Sequence, residues 1–257
     1  MAPKFETIAQ FREIGGYKTQ DGRTIRYGQI YRSGELTRVS AEEQALLASL
    51  NIKTVYDLRS TKEQQALQDV PGNYDVVLCP LAQEKIDVDV KYRNPAGFTD
   101  RVIAADESYY NFYKHSFAKG YLEFAYNTAT ISKIFGSMSR HEIFLYHCFG
   151  GKDRTGFISM LLMHILGCDY ETCKTDYMLH NSIIAEKEGR YLEKLREKGA
   201  NEFGIKTARV YSEAAEELFD CAWHSIYSLY NTIDDYLSDR FGIGPEVVND
   251  WKNFYLE

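Results

Sequence analysis

Two apolar segments separated by a short polar turn form the clearest pattern in the chain, around residues 147–156. Residues 143–146 are an apolar run with aromatic side chains, which is typical of a buried strand. Residues 157–166 are apolar on nearly every face and end at Gly167, which predicts a core helix with a glycine just past its end. The pattern therefore predicts a strand, a tight turn and a helix N-terminus in direct succession.

The polar positions upstream mark two helix starts. Ser40 and Glu43 have the Ser-x-x-Glu spacing of a capping box, in which each side chain bonds the backbone N–H of the other residue. Ser60 and Glu63 repeat this spacing directly after a strand predicted over residues 53–59. A helix, a strand and a second helix are therefore expected here in sequence.

Turn residues and charged residues punctuate the neighbouring segments. Asp21-Gly22 is a hairpin signal between two β-like runs within residues 11–32, and residues 74–78 predict a further strand. Residues 82–107 are irregular and charged, which predicts a long functional or mobile loop. This loop is a candidate cover for a site.

The second half of the chain is predicted to be mostly helical. Residues 108–134 are helical in tendency and crowded with aromatic side chains, and Gly120 is expected to break or kink this stretch. Another helix is predicted over residues 169–181. Residues 182–257 form the helical C-terminal part of what we predict to be one α/β domain spanning residues 1–257.

Composition and charge narrow the class of protein. A chain of 257 residues with 44% hydrophobic residues can bury a full core, and no apolar run approaches the length of a membrane span. The net charge of -7 argues against nonspecific nucleic-acid binding. The first residues lack the blocks of a signal peptide, and five cysteines without framework spacing indicate reduced thiols in the cytoplasm. Export by another route stays open.

The predicted turn holds Cys148 and, six positions later, Arg154. Backbone N–H groups converge where such a turn meets a helix N-terminus, and together with a guanidinium they favour the nucleophilic thiolate. The Arg154 fork matches two phosphoryl oxygens, and Gly150 and Gly151 let the backbone approach them. Thr155 is a candidate donor to the sulfur or a helix cap. The alternative, a buried structural cysteine, explains neither the glycines nor the spacing.

Residues 147–156 read His-Cys-Phe-Gly-Gly-Lys-Asp-Arg-Thr-Gly and contain the pattern Cys-x5-Arg. This stretch resembles the phosphate loop of the cysteine-dependent protein tyrosine phosphatases, and its Lys-Asp pair resembles a bacterial group of that family. The resemblance implies an α/β fold with a central, mainly parallel sheet flanked by helices and with extra C-terminal helices. It implies substrates that carry phosphotyrosine and, in some members, phosphoserine, phosphothreonine or phosphoinositides.

Fainter matches extend the resemblance over almost the whole chain. They are segments 11–17 and 28–33, the group Asp57, Leu58, Arg59 and Glu63, and the later residues Asp176, Tyr177 and Asn181. Glu13 departs from the family pattern, in which Asp is usual at that place.

The resemblance implies a two-step hydrolysis without a metal or another cofactor. Cys148 is the nucleophile that forms a phosphocysteine, and Arg154 with the loop backbone holds the phosphate oxygens. The residues expected to bind phosphate are Phe149, Gly150, Gly151, Lys152, Asp153, Arg154 and Thr155. Lys152 is also expected to act as a second cation that favours polyanionic substrates such as phosphoinositides.

A general acid must protonate the leaving oxygen. There is no convincing Trp-Pro-Asp upstream, and in the Lys-Asp-Arg group this role is given to the Asp beside the Arg, which is Asp153 here. One alternative is that Asp153 is an ion-paired carboxylate that only orients Arg154 or Lys152. Another is that the acid comes from upstream, where the candidates are Asp87, Asp89, Asp100 and Asp106.

Ion pairs are the expected role of two other arginines. Arg59 and Glu63 are four residues apart, which predicts a pair that ties a strand end to a helix. A second hypothesis is that Arg59 shapes the pocket, because functional groups cluster at the ends of parallel strands. Arg32 is also expected in an ion pair or in solvent, although it and Ser33 are candidates to contact substrate.

Structural roles are expected for the remaining cysteine and histidine candidates. Cys79 is predicted to be a small apolar residue on a buried strand, with a protective disulfide to Cys148 as the alternative. His147 is expected to tune Cys148 through hydrogen bonds, and His164 is expected to be a core histidine.

Two other classes of protein stay open. One is an inactive module that recognises a phosphorylated ligand, against which the intact Cys148 and Arg154 argue. The other is a redox protein, although no Cys-x-x-Cys is present. A zinc site at His147 and Cys148 lacks the usual ligand spacing. The expected partner is a phosphorylated protein or a phosphoinositide as substrate, and the sequence does not define an oligomeric state.

Overall fold

The computed structural model describes residues 3–81 and 95–257. Its strands are β1 (Arg12–Glu13), β2 (Ile30–Ser33), β3 (Thr54–Asp57), β4 (Asp75–Leu78) and β5 (Phe144–His147). The helices of the first half are α1 (Ala41–Ser49), α2 (Thr61–Ala66), α3 (Pro95–Ile103), α4 (Glu107–Phe124) and α5 (Thr128–Ser139). Those of the second half are α6 (Asp153–Ile165), α7 (Tyr170–Glu197), α8 (Glu202–Ser212), α9 (Glu216–Tyr227), α10 (Ile233–Phe241) and α11 (Pro245–Tyr255).

The strands form one sheet in the order β1-β2-β5-β3-β4, in which β1 runs antiparallel to β2 and the other pairs are parallel. All four residues of β5 are buried, as expected for a central strand that is covered on both faces. His147 is paired with Ser33 on one side and with Asp57 on the other, so β2, β3 and β5 end at one edge. Loops after parallel strands are the usual place for a ligand site.

Alternate residues of β5 face two hydrophobic layers. Leu145 packs in a layer that includes Leu47 of α1. Phe144 and Tyr146 pack in the larger layer, which contains most of α6 and also Trp251 of α11. The C-terminal helices therefore pack against the same sheet as α6, and the α/β fold expected from the sequence is confirmed.

Local predictions in the first half are confirmed at the turn and at both helix starts. The Ser40 and Ser60 hydroxyls accept the backbone N–H groups of Glu43 and Glu63, at 3.2 Å in each case. Both glutamates return the bond, which completes the two capping boxes. The predicted hairpin turn forms with Gly22 at φ 88°.

Two predictions about the middle of the chain are wrong. Helix α3 lies within the stretch predicted to be an irregular loop, of which residues 82–94 fall outside the described residues. The predicted break at Gly120 is also wrong, and a kink there stays a prediction. Helix α4 runs unbroken through Gly120, because an internal glycine costs a helix only about 1 kcal/mol and the aromatic packing outweighs that cost. The helical stretch breaks instead at Asn127, whose side chain accepts the N–H of Thr130 and caps α5.

The second half is helical as expected. Gly167 follows α6 with φ 107°, and the side chain of Asp169 caps α7. Pro245 occupies the first turn of α11. No helix in the parts of the chain described is long and apolar enough to cross a membrane.

Candidate active site

Cys148 directly follows β5, and α6 begins five residues later at Asp153. Residues 148–152 are the β5–α6 loop. Cys148 is only 2% exposed and contributes to the lining of a cavity of about 870 Å³. The same lining contains Phe149, Gly150, Lys152, Asp153 and Arg154. Most of the residues expected to bind phosphate therefore meet at one cavity.

The β5–α6 loop is pressed against the end of β2. A Cβ atom on Gly151 would lie 2.8 Å from the backbone nitrogen of Gly34, and the φ angle of Gly151 is +67°. The backbone N–H of Glu35 also donates to the carbonyl of Phe149 at 2.9 Å. A Cβ atom on Gly150 would meet nothing within 4 Å. Packing inside the protein therefore requires glycine at Gly151 and not at Gly150.

Arg32 lies beneath the β5–α6 loop, and its side chain is 1% exposed. Its Nη2 donates to the carbonyl of Gly151 at 2.9 Å, and its Nη1 pairs with Asp176 on α7. Asp176 also pairs with Arg12 and accepts a hydrogen bond from Tyr17. Burial would raise the pKa of Asp176, but the two guanidinium groups hold it below its usual range. The ion pair predicted for Arg32 is confirmed.

Arg154 faces Glu63 in a bidentate ion pair. Nη1 of Arg154 is 2.6 Å from Oε2 of Glu63, and Nη2 is 2.9 Å from Oε1. Burial alone would raise the pKa of Glu63, but the guanidinium and the backbone N–H of Ser60 lower it to about 2. Glu63 is therefore a charged carboxylate that fixes the orientation of Arg154.

The predicted ion pair between Arg59 and Glu63 is wrong. Arg59 instead pairs with both oxygens of Asp57, from Nε at 2.9 Å and from Nη2 at 2.7 Å. Its Nη2 also lies 2.8 Å from Asp69. The four-residue spacing brings side chains together within one helix, whereas Arg59 precedes the Ser60 cap of α2 and lies outside that helix.

Asp57, Asp69 and His147 place ligand-type atoms within 4.8 Å of one another. Nε2 of His147 is 3.1 Å from Asp69 without the alignment of a hydrogen bond, and Nδ1 is 3.2 Å from the carbonyl of Cys148. The Arg59 guanidinium pairs with both carboxylates, so a cation here would have to compete with a buried positive charge. The cluster fits an ion-pair network beneath Cys148 better than a metal centre.

Asp153 is the first residue of α6, and its side chain is 27% exposed. Tyr121 on α4 donates a hydrogen bond to its Oδ1 at 2.6 Å, and the Tyr121 hydroxyl lies 2.8 Å from that of Tyr177 on α7. Nζ of Lys152 is 3.4 Å from the same oxygen. Burial and the Asp153 charge raise the pKa of Tyr121 well above its ordinary value, so its hydroxyl remains a donor.

The Lys152 ammonium is held by the C-terminal end of α8. Nζ donates to the carbonyls of Val210 at 3.3 Å, Tyr211 at 2.8 Å and Glu213 at 3.0 Å, and the residue is 3% exposed. An ammonium has three N–H groups, and these contacts engage all of them. The contacts of Lys152 argue against the expected second cation for polyanionic substrates, because its charge caps a helix instead.

The upstream acid candidates do not line the cavity in the described ranges. Asp106 caps α4 by accepting the N–H of Tyr109 at 2.9 Å, and Asp100 is an exposed residue of α3. Asp87 and Asp89 lie outside the described residues. Asp153 is therefore the candidate that the described residues bring to the cavity.

The prediction that Cys79 lies on a buried strand is only half right, because Cys79 follows β4, an edge strand whose residues are mostly exposed. His164 is half-buried and hydrogen-bonded, as expected for a structural histidine. Cys79 is buried, and burial raises the pKa of its thiol to about 12. Nδ1 of His164 lies 3.0 Å from the carbonyl of Cys168, and Nε2 bonds the hydroxyl of Tyr227. Neither bond predicted for Thr155 forms, because its buried hydroxyl has no hydrogen-bond partner in residues 3–81 and 95–257.

The contacts of three residues near the loop could not be predicted from the sequence. Tyr121 is one aromatic among many in its segment, and Tyr177 looks purely structural. His180 lines the cavity and its Nε2 lies 2.9 Å from the carbonyl of Ser212, while burial lowers the pKa of His180 to about 4. The one usable signal is spacing, since Asp176, Tyr177 and His180 lie on one face of a predicted helix.

Residues 3–257 match the model of the tyrosine phosphatase family. The chain belongs to this family. A Cupriavidus necator protein named as a tyrosine-protein phosphatase is 27% identical over 245 residues, covering 93% of this chain and 84% of that protein. The triple specificity protein phosphatase PtpB of Mycobacterium tuberculosis is 24% identical over 270 aligned positions, covering 96% of each chain.

Among solved structures, this chain is similar to TpbA of P. aeruginosa, a Cys-to-Ser variant in complex with pTyr. The identity is 16%, the TM-score is 0.26, and the match covers 79% of this chain and 89% of that chain. The family match confirms the resemblance to the tyrosine phosphatases, and the chain is a tyrosine-phosphatase-like enzyme.

Proposed function

We propose that this tyrosine phosphatase family member hydrolyses phosphotyrosine through a phosphocysteine on Cys148. The observation that carries the proposal is the meeting of Cys148 and Arg154 at one cavity, with Arg154 fixed by Glu63. The backbone N–H groups of the β5–α6 loop and the N-terminus of α6 supply further donors for a phosphate dianion. These donors would also stabilise the charge that spreads over the equatorial oxygens in the transition state.

The proposed reaction has two displacements at phosphorus. The Cys148 thiolate forms an S–P bond while the bond from phosphorus to the ester oxygen breaks, and the leaving oxygen takes a proton from Asp153. Water then attacks phosphorus and gives a proton to Asp153 while the S–P bond breaks. Inorganic phosphate leaves, and both side chains return to their starting states.

Replacement of the nucleophile tests the core of the proposal. Cys148→Ser should abolish turnover of p-nitrophenyl phosphate and of a phosphotyrosine peptide, yet still bind inorganic phosphate, because the N–H donors survive. Cys221→Ser on α9 is the matched control and should keep full activity. Full activity in Cys148→Ser would contradict the mechanism. A wild-type protein that binds phosphate without turnover would favour the alternative, an inactive recognition module.

The acid role of Asp153 has its own test. A phenolate or alkoxide with a high pKa needs a proton as it leaves, and general acid catalysis typically contributes roughly 10²–10⁴ in rate. Asp153→Asn should therefore be slow on alkyl and phenyl phosphates and much less affected on p-nitrophenyl phosphate. Equal losses on every ester would instead assign Asp153 to the orientation of its neighbours.

Substrate range beyond phosphotyrosine is a further proposal. The name of PtpB describes a triple specificity protein phosphatase. We include phosphoserine, phosphothreonine and phosphoinositides as candidate substrates for this enzyme. Measurement of kcat/KM on phosphopeptides of each type and on a phosphoinositide would rank these substrates. Absence of turnover of phosphoserine, phosphothreonine and phosphoinositide would restrict the enzyme to phosphotyrosine.

We also propose that residues 1–257 act as one domain in the cytoplasm. The support for one domain is that Trp251 of the last helix packs in the same hydrophobic layer as Phe144 of the central strand. The support for a reducing compartment is that all five cysteines are free thiols. A single cooperative unfolding transition is expected by both fluorescence and circular dichroism, and two separated transitions would contradict the one-domain proposal.

A further inference from the structure

A chain of hydroxyl groups leads from α7 through α4 to the start of α6. The Tyr121 hydroxyl donates to Oδ1 of Asp153 at 2.6 Å, and the Tyr177 hydroxyl lies 2.8 Å from that of Tyr121. A phenol has one hydrogen to donate. Because Tyr121 gives its hydrogen to Asp153, Tyr177 must be the donor to Tyr121. Each hydrogen bond in such a chain polarises and strengthens the next.

The contacts of Asp153 are concentrated on one of its two oxygens. Tyr121 donates to Oδ1, and Nζ of Lys152 also lies nearest this oxygen, at 3.4 Å. An oxygen that accepts a hydrogen bond from a phenol cannot carry the carboxyl proton in that direction. Because Tyr121 and the Lys152 ammonium both face Oδ1, a proton on Asp153 is favoured on Oδ2, and rotation of the carboxyl group would break the bond to Tyr121.

We propose that Tyr121 is a positioning residue for the acid, which holds Oδ1 so that Oδ2 of Asp153 carries the proton toward the leaving group. Tyr177 supports it as the donor to its hydroxyl. This inference rests on the proposed role of Asp153. It assigns a function in the reaction to a side chain on α4, a helix remote in sequence from the β5–α6 loop.

The packing around Tyr121 and Tyr177 holds their two hydroxyl groups within hydrogen-bonding distance. Tyr121 and Tyr177 are each 2% exposed, and their rings meet edge to face with centroids 6.4 Å apart. A Cβ atom on Gly156 would lie 2.8 Å from the Tyr177 ring. Glycine directly after Thr155 therefore makes the space in which Tyr177 reaches Tyr121. Burial of two phenolic hydroxyls is costly unless both are bonded, and this arrangement bonds both.

The test compares Tyr121→Phe with wild type on a series of aryl and alkyl phosphates of increasing leaving-group pKa. The rate on phenyl and alkyl phosphates should fall about tenfold, and that on p-nitrophenyl phosphate less than about twofold, because only poor leaving groups need the proton. The plot of log kcat against leaving-group pKa should become steeper. Tyr236→Phe removes another buried hydroxyl, which donates to the carbonyl of Ala125 at 2.8 Å, and should leave the slope unchanged.

Two double variants separate positioning from packing. Tyr121→Phe leaves the Tyr177 hydroxyl without its acceptor, so stability should fall in the single variant and recover in Tyr121→Phe/Tyr177→Phe. The steeper leaving-group dependence should persist in that double variant. Tyr121→Phe added to Asp153→Asn should cause no further loss on phenyl phosphate, because the residue to be positioned is already inactive as an acid.

The outcomes distinguish this inference from the proposal on which it rests. If Asp153→Asn steepens the leaving-group dependence and Tyr121→Phe leaves it unchanged, the positioning role of Tyr121 is wrong and the acid role of Asp153 stands. If Asp153→Asn loses rate equally on all esters, the proposed acid role of Asp153 is wrong, and the inference about Tyr121 is wrong with it. Additive losses in Tyr121→Phe/Asp153→Asn would also overturn the inference, because Tyr121 would then act independently of Asp153.

Discussion

Arg154 and Glu63 form a bidentate pair across two elements, with Nη1 to Oε2 at 2.6 Å and Nη2 to Oε1 at 2.9 Å. Glu63 is at the same time the third residue of α2 and the partner of Ser60 in a capping box. One carboxylate therefore joins the start of α2 to the start of α6. A helix-capping pattern that is visible in the sequence has a second use that becomes visible only in three dimensions.

Loss of this carboxylate should affect both activity and acid stability. Glu63→Gln frees the guanidinium to rotate, and kcat/KM should fall by roughly 10–100-fold because Arg154 no longer meets the phosphate in a fixed orientation. The pKa of Glu63 is lowered from 4.5 to about 2. The stability it contributes, about 3 kcal/mol, is fully present above pH 4.5 and is lost as the pH falls toward 2. Urea unfolding between pH 7 and 3 should show this loss in wild type and not in the variant.

Glu142→Gln is the matched control for that experiment. Glu142 also accepts two hydrogen bonds from an arginine, Arg140, at 2.7 and 3.0 Å, but it does not line the cavity. The Glu142→Gln variant should keep the wild-type kcat/KM. If Glu63→Gln also kept the wild-type kcat/KM, orientation of Arg154 by Glu63 would not matter for catalysis.

The two loop glycines should respond oppositely to the same substitution. Gly151→Ala places a methyl group 2.8 Å from the Gly34 nitrogen at a φ angle of +67°, so at least about 1–2 kcal/mol of unfolding free energy should be lost. Gly150→Ala meets nothing within 4 Å and should keep the wild-type Tm. Calorimetry should therefore give a lower Tm for Gly151→Ala than for Gly150→Ala. Equal Tm values would show that the loop can move away from β2 at little cost.

The contacts of Lys152 predict a loss that is the same for every substrate. Lys152→Met removes the donor to three carbonyls at the end of α8, and stability should fall by about 1–3 kcal/mol. Rates on phosphotyrosine and on a phosphoinositide should fall in equal proportion, because the ammonium serves the helix. Lys187→Met changes an exposed lysine of the cavity lining and should cost no stability. A selective loss of phosphoinositide hydrolysis in Lys152→Met would restore the original hypothesis of a second cation.

His180 predicts a different pH range of stability. Burial lowers the pKa of His180 from 6.5 to about 4. Between these two pH values, His180 is protonated in the unfolded chain and neutral in the folded protein. Stability should therefore be complete above pH 6.5 and fall as the pH drops toward 4, by about 2 kcal/mol at pH 5. His180→Gln should reduce the difference between urea midpoints at pH 7.5 and pH 5. The exposed His115→Gln should leave that difference as in wild type.

Much of the framework could be predicted because its causes are local. The buried run before Cys148, the apolar helix after it and the two Ser-x-x-Glu boxes each depend on residues within one turn or strand. The break predicted at Gly120 was wrong because its cause is not local. Its effect on α4 depends on aromatic packing against distant helices, and such packing outweighs an intrinsic propensity of about 1 kcal/mol.

The partners of charged residues could not be predicted in the same way. Arg59 and Glu63 are close in sequence, but Glu63 pairs with Arg154 and Arg59 pairs with Asp57 and Asp69. Which carboxylate meets which guanidinium depends on the order β2-β5-β3 in the sheet, which the sequence does not state. The contact of Tyr121 could not be predicted for a similar reason, because its bond to Asp153 requires α4 to pack against the start of α6.

Each cation of the Lys152-Asp153-Arg154 stretch has a carboxylate close by, with Glu63 at Arg154 and Asp153 itself 3.4 Å from Lys152. The whole chain carries a net charge of -7. The cavity lining holds three further cations, Arg38, Lys62 and Lys187, and three further carboxylates, Glu6, Glu35 and Glu188, so its formal charge is balanced. Little long-range attraction is then left to draw a dianionic substrate from solution, so substrate arrives by unassisted diffusion and is selected by contacts formed after entry. Added salt should accordingly leave kcat/KM level or raise it slightly, whereas an enzyme with an unpaired basic cleft loses rate under the same conditions.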